Sequence, residues 1–358
     1  MKKSLPRAIM LIIVLSSSML ASQAQQVTWP EVTREAKAGS RWWWMGSAVD
    51  EENLRWNMAQ YAAAGFGTLE ITPIYGVSGN ASRNIPFLSD RWLEILRYTQ
   101  QLGEEYGIDI DMTTGTGWPF GGPQVKAEES ASKLVTETMD VAGDGHSTTT
   151  MTINPSNGTL QKVMAYPQTD NDGLVTDLTS LVESGKMNWV APEGKWQIIA
   201  IYNQYRVMQV KRPSPGSEGY VVDHFDSTSV AHYLAHFDQR FASAGSPWPH
   251  SFFNDSYEIN QADWTPKMFE EFERRRGYKL EEHMDLLLKR DPDVYADYRQ
   301  TLADLLRDNF THQWTTWAHS HGATTRSQAH GSPGNLIDLS SKQLPFTFLN
   351  VLAVCFIM

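Results

Sequence analysis

The chain is poor in cysteine and in positive charge, and it lacks the short fingerprints of nucleotide and serine chemistry. Its 358 residues include one cysteine, Cys355, so no internal disulfide can form and the fold must be held by burial. Charged residues make up 20%, with 30 Lys and Arg against 41 Asp and Glu, a formal net charge of −11. Such a surface repels phosphate backbones, which argues against nucleic acid as a partner. The glycine-rich stretch 111–122 (DMTTGTGWPFGG) fits neither the dinucleotide nor the P-loop spacing. No G-x-S-x-G elbow occurs, which removes the nucleophilic serine of α/β-hydrolases. His232 and His236 stand four residues apart, but Tyr-Leu-Ala between them lacks the glutamate of a zinc protease, and no third ligand is evident. No apolar run reaches the roughly 20 residues that span a bilayer.

Lys2, Lys3 and Arg7 precede an apolar stretch at 8–20, and Ser22 and Ala24 follow at small-residue positions. This is the pattern of a signal peptide over 1–24 and predicts export, with no membrane span after cleavage. A retained anchor is the alternative. Thirteen tryptophans are present, and indoles serve either a large core or a flat platform for sugar rings.

Strand and helix signals alternate over 25–125. RWWWM at 41–45 reads as a buried strand, and Asp50 precedes a helix carrying Leu54, Met58, Tyr61 and Ala62 on one face up to Gly65. A strand at 68–75, a helix opened by Ser89 and closed by Gly107, and a strand at 108–113 continue the rhythm. Over 126–205 short Val/Thr/Ile-rich strands separated by turn clusters replace it. The α/β pattern returns at 206–339, with strands at 219–222, 251–254 and 323–327 and a long helix at 293–319. The predicted architecture is therefore α/β, an incomplete (β/α)8-type barrel interrupted by an all-β, sandwich-like insertion. The tail at 340–358 reads SSKQLPFTFLNVLAVCFIM, without caps or alternation, and is expected to be foreign to the fold.

Parallel α/β sheets carry their chemistry beyond the C-terminal strand ends. Trp44 stands near such an end, as a sugar platform or as core. Trp118 and Phe120 flank glycines that permit close backbone approach, in a sugar subsite or an ordinary turn. Asp223, His224 and Asp226 follow the 219–222 strand, as sugar-hydroxyl ligands or as a helix cap plus a surface acid. The sharpest candidate is FFNDSYE at 252–258, where Asp255 and Glu258 follow two aromatics. Glycoside hydrolysis needs a carboxylic acid to protonate the leaving oxygen, and a partly desolvated Glu258 would have the raised pKa for it. The alternative is a cap at Asp255 and a solvated Glu258. His330, in RSQAHG at 326–331, is a further candidate for the cleft.

RWWWMGSAVDEENL (41–54), GFGTLEITPIYG (65–76), TGTGWPFGGPQV (114–125), VKRPSPGSEGYVVDHFD (210–226), FFNDSYE (252–258) and RSQAHGSPGNLIDL (326–339) together resemble the N-terminal region of glycoside hydrolase family 106, the α-L-rhamnosidases. The resemblance implies a (β/α)8-type catalytic domain with β insertions, inversion at the anomeric carbon, two glutamates as acid and base, and calcium near the sugar. By motif position Glu258 is the expected general acid, and the second glutamate is expected beyond residue 358. Trp44, Trp118, Asp223, His224, Asp255 and His330 are expected to shape the pocket, and no calcium ligand is identified. The expected function is hydrolysis of terminal rhamnose from polysaccharides or glycosides. Two alternatives stand beside it: a truncated, non-catalytic remnant with at most weak sugar binding, motivated by the tail, and a barrel glycosidase of different sugar specificity.

Overall fold

The computed structural model of the chain describes residues 29–168, 173–259, 261–328, 331–332 and 348–350. The leader and His330 lie outside these residues, as does most of the tail.

Strand β1 (Gly39–Met45) leads through helix α1 (Glu51–Ala63) to β2 (Thr68–Ile74), then through α2 (Asp90–Tyr106) to β3 (Asp109–Thr113). The helix ends follow from their caps. The Asp50 carboxylate accepts from the Asn53 N–H, and the Ser89 hydroxyl accepts from the Trp92 N–H. Gly107 closes α2 at φ 67°, the left-handed conformation that glycine adopts without penalty.

After β4 (Gly121–Gly122) come the inserted strands β5 (Lys133–Gly143), β6 (Thr148–Thr152), β7 (Thr159–Pro167), β8 (Thr176–Asp177), β9 (Val182–Glu183), β10 (Lys186–Val190) and β11 (Gly194–Gln204). They form two antiparallel sheets, ordered β5-β11-β7-β8 and β6-β10-β9. A separate apolar cluster joins them, with Met151 and Met187 from the smaller sheet and Val163, Ala165, Trp196, Ile198 and Ala200 from the larger. Ile199 and Ile201, on the other face of β11, belong to the main core instead. Both faces of β11 are therefore buried, and the insertion is anchored to the body through its last strand.

The chain returns through β12 (Tyr220–Val221), α3 (Ser227–Ala244), β13 (Ser251–Asn254) and β14 (Tyr257–Glu258). Helices α4 (Met268–Arg276), α5 (Met284–Leu288) and α6 (Pro292–Leu305) follow, then a π-helical segment (Leu306–His312), α7 (Gln313–Ser320), β15 (Thr324–Gln328), β16 (Gly331–Ser332) and β17 (Phe348–Asn350). The helix expected over 293–319 is thus interrupted by a π turn.

Strands β1-β2-β3-β13-β15-β17 make one parallel sheet in sequence order. Among the described residues it stays open, so the barrel expected from sequence is not closed here. Of the tail, the described residues Phe348–Asn350 pair with β15 as the sixth strand. The two faces of the sheet differ sharply, because strand side chains alternate. One face presents Trp42, Trp44, Leu69, Ile71, Ile110, Met112 and Phe252, all buried in the main core. Trp42 packs edge-on against Tyr61 of α1, and Trp44 against Trp92 of α2, each at 5.9 Å between ring centres. Each large side chain so buried contributes roughly 1.5–3 kcal/mol. The other face is charged, and it carries the candidate site.

Candidate functional site

Arg41, Glu70 and Asp111 occupy one rung of the sheet, since Arg41 pairs in register with Glu70 and Glu70 with Asp111. Arg41 bonds Glu70 through Nε at 2.9 Å and Asp255 through Nη1 at 2.9 Å. Arg326 reaches from β15 to Glu70 at 3.0 Å, sharing it with Arg41, and to Asp111 at 2.6 Å. Both guanidinium groups lie over the Phe253 ring, at 4.7 and 5.5 Å. Charges buried under a sheet are tolerable only when paired and hydrogen-bonded, and here two arginines serve three acids. Burial still dominates at Glu70, pushing its carboxyl above the usual range despite Arg41 and Arg326. At the rim His250 is held above its ordinary value by its hydrogen bond with Asp111.

The network continues upward. The Ser256 N–H donates to Asp255 at 2.7 Å, and the Ser256 hydroxyl donates to Glu258 Oε1 at 2.7 Å. Glu258 also accepts on Oε2 from Lys211 Nζ at 2.7 Å and from the Trp118 indole N–H at 3.3 Å. Lys211 and Trp118 arrive together because their backbones pair antiparallel, with Trp118 N–H to Lys211 O at 3.1 Å and the reverse bond at 2.8 Å. Gly117 makes this contact possible. It sits at φ 55°, and a Cβ there would lie 1.9 Å from the Lys211 carbonyl oxygen. Burial pushes the Glu258 carboxyl up, but the donations from Lys211, Ser256 and Trp118 outweigh it and hold the group below its ordinary range. Its side chain remains 36% exposed, so the carboxylate is both held and reachable.

The structure brings together Glu258, Trp118 and Asp255 of the residues singled out from sequence. It separates the others. Trp44 is 1% exposed and faces the helices, so it is core and not platform; Trp43, on the charged face, is 45% exposed. Asp223 is 2% exposed and ties a turn, accepting from the Phe225 N–H at 2.9 Å and the Thr265 hydroxyl at 2.7 Å. His224 is 1% exposed among Phe120, Tyr257 and Phe310, with Nδ1 2.7 Å from the Val222 carbonyl. Asp226 caps α3 by accepting from the Ser229 N–H. Asp226 is thus the helix cap that the alternative reading expected, but Asp223 is a buried turn residue and not a surface acid, and neither Asp223 nor His224 is exposed to a cleft. The raised pKa expected for Glu258 is also reversed, because hydrogen bonds from Lys211, Ser256 and Trp118 outweigh its burial. His330 lies outside the described residues.

Sequence reasoning missed Arg41, Trp43, Glu70, Tyr75, Lys211 and Arg212 as site residues. Strand alternation could have found the first three, since Arg41 marks the polar face on which Trp43 also stands. No local pattern marks Lys211 and Arg212, whose position depends on a contact with Gly117 ninety-odd residues earlier in the chain.

For calcium, the described residues include no group of three or more His, Cys, Asp or Glu side chains placed to hold a metal ion. Glu70, Asp111, Asp255 and Glu258 are each engaged by arginine or lysine. These residues do not fit a calcium cage.

Carboxylates and aromatics gathered at the C-terminal ends of parallel strands define the class of α/β proteins that bind polar ligands at that edge. The sequence places the chain within that class. The α-L-rhamnosidase family, glycoside hydrolase family 106, matches over residues 31–172 and 164–339, and the chain belongs to it. A protein of Formosa agariphila described as "Putative beta-glucuronidase" is 20% identical over 391 residues, covering 92% of this chain and 33% of that protein. A rhamnosidase structure from Novosphingobium sp. PP1Y shares the fold with a TM-score of 0.66 at 15% identity, covering 83% of this chain and 46% of that one. The chain thus spans a third of the one relative and under half of the other.

Proposed function

We propose that the chain carries the acid half of a glycoside hydrolase site that releases terminal L-rhamnose from polysaccharides or glycosides with inversion. The observation that carries this reading is Glu258, a reachable carboxylate bonded edge-on to the Trp118 indole beside strand ends. Family membership supports the reaction class, and the residues at 1–24 support an exported enzyme. Trp43, Tyr75 and Trp118 supply partly exposed aromatic faces for the C–H surfaces of sugar rings.

In this reading Glu258 rests as a carboxylate under Lys211. Substrate that draws Lys211 away lets the carboxyl regain its proton, which then passes to the glycosidic oxygen as the C–O bond breaks. A second carboxylate, standing about 6.5–9.5 Å away, would direct water to the opposite face of the sugar. Glu70 and Asp111 are buried under arginines and do not suit that task. Asp255 and Ser256 act on Glu258 as orienting groups.

The test is Glu258→Gln assayed on two rhamnosides, one with a poor alkyl leaving group and one with a good aryl leaving group. Loss of about 10²–10⁴-fold on the alkyl substrate with little loss on the aryl one is the expected outcome. Equal loss on both would move Glu258 to the water-activating role. Undiminished turnover of both would remove it from the mechanism.

A further inference from the structure

Glu258 stands on a strand of two residues, Tyr257–Glu258, paired with another of two, Gly331–Ser332. So short a ladder does little to fix a side chain, and the orientation of the carboxylate comes from three donors of unequal standing. Lys211 is a partly exposed ammonium on a flexible stem, and in the proposed reaction it withdraws before Glu258 carries its proton. The Trp118 indole bond is the longest of the three, at 3.3 Å. The Ser256 hydroxyl is buried and bonds Oε1 at 2.7 Å. It is the firmest tether left once Lys211 has gone.

Ser256 is placed by Asp255. One carboxylate oxygen of Asp255 accepts the Ser256 N–H at 2.7 Å, and the other accepts from Arg41 Nη1 at 2.9 Å. Arg41 is itself fixed on several sides. Its Nε bonds Glu70 at 2.9 Å, and the central carbon of its guanidinium lies 4.7 Å from the Phe253 ring centre and 5.1 Å from that of Trp43. A planar fork that bonds two carboxylates while meeting aromatic rings is arginine chemistry; a lysine would supply the charge without the fork. From β1, Arg41 reaches past β2 and β3 to the turn that follows β13.

Resting on the reading of Glu258 as the acid, we infer that Arg41 is a positioning residue for Glu258, acting through Asp255 and Ser256 to keep the carboxyl aimed while Lys211 is displaced. Arg41 touches neither the proton nor the reacting sugar. It removes freedom from the group that delivers the proton, and a reacting group misplaced by about an ångström costs on the order of 10²-fold in rate. The effect therefore falls on kcat, while the contacts that set KM stay in place.

The test places Arg41→Lys and Ser256→Ala, singly and together, in the full chain and again in Glu258→Gln. Arg41→Lys keeps the charge that Glu70 and Asp255 need, and Ser256→Ala removes no charge, so both spare the buried ion pairs. Each should lower kcat on the alkyl rhamnoside by about ten- to hundred-fold with KM little changed. The double variant should be no worse than the worse single one, because both break one chain of bonds. In Glu258→Gln neither should lower the residual rate further. Losses that multiply, that persist undiminished in Glu258→Gln, or that fall on KM alone overturn the inference. Carboxyl-carbon NMR of Glu258, assigned by difference from Glu258→Gln, is a second measurement that needs no turnover. Losing a donor to a carboxylate raises its pKa, so Glu258 should titrate higher in Ser256→Ala and, with the charge at position 41 unchanged, higher also in Arg41→Lys. A Glu258 titration unmoved by Arg41→Lys overturns the inference whatever the kinetics. If the wild-type chain cleaves no rhamnoside while both variants raise the titration, the glycosidase reading fails and the Arg41 tether stands.

Discussion

Asp223 offers a test of the fold by titration. Its carboxyl is buried, and burial pushes its pKa up to about 7 from an ordinary value of about 3.9. The folded chain therefore keeps this proton between about pH 4 and pH 7 while the unfolded chain releases it. Stability must fall with rising pH across that window, by at most about 1.4 kcal/mol per pH unit, and level off above it. Over three units the loss attributable to Asp223 reaches about 4 kcal/mol. Asp223→Asn removes the titration but keeps most of the geometry. The amide oxygen accepts from Phe225 N–H, and the amide nitrogen faces the Thr265 hydroxyl, which turns from donor to acceptor. Urea unfolding followed by tryptophan fluorescence at pH 4 and pH 8 measures the difference. All other titrating groups cancel between the two proteins, so only the change in the gap matters. The variant should gain on the wild type by up to about 4 kcal/mol between pH 4 and pH 8. Parallel stability curves across that range would show that Asp223 is not held protonated, and would refute the buried placement of the 223–226 turn.

Three further outcomes follow from the same geometry. Lys211→Met removes the strongest donor to Glu258, so its carboxyl titrates higher; with Glu258 as the acid, the alkaline fall in kcat/KM for rhamnoside hydrolysis should move to higher pH. Trp44→Ala should cost about 3–5 kcal/mol in unfolding free energy, whereas Trp43→Ala should leave stability within about 0.5 kcal/mol and weaken sugar binding instead; the opposite pattern would mean the two faces of β1 are exchanged. Arg326→Met leaves buried Glu70 with Arg41 and buried Asp111 with His250, and a loss of about 3–5 kcal/mol in chemical denaturation is expected, with Glu70→Gln in the same background recovering part of it.

The order of elements was legible because it rests on local signals. Asp50, Ser89 and Gly107 are cap residues whose chemistry acts within one turn, and the helices begin and end on them. The FFNDSYE stretch was legible as a site because two buried aromatics followed by acids at a strand end already state which part is core and which is mouth. Trp44 was misread for want of one parity decision, since in RWWWM a shift of one residue exchanges core for cleft. Asp223 and His224 have the composition of a sugar site and the position of a turn, and only the arrival of Thr265, Phe310 and Tyr257 from distant segments decides between them. The state of Glu258 was illegible for the same reason, because the lysine that sets it lies forty-seven residues away.

That lysine also gives the β insertion a role in the site. Trp118 precedes the inserted strands and Lys211 follows them, so the two donors to Oε2 of Glu258 sit on opposite stems of the insertion. Chain closure over so many residues would be entropically costly if the insertion were loosely attached. The cost is met by β11, which buries Ile199 and Ile201 in the main core and Ile198 and Ala200 in the insertion's own core. Below the mouth the stems are stitched again, by Ala131 N–H to the Val221 carbonyl at 2.8 Å and Val207 N–H to the Ala131 carbonyl at 3.3 Å. The insertion is thus a brace that fixes the spacing of Trp118 and Lys211, while the charged rung of Arg41, Glu70 and Asp111 fixes Asp255 and Ser256 from beneath. Glu258 receives its orientation from both directions.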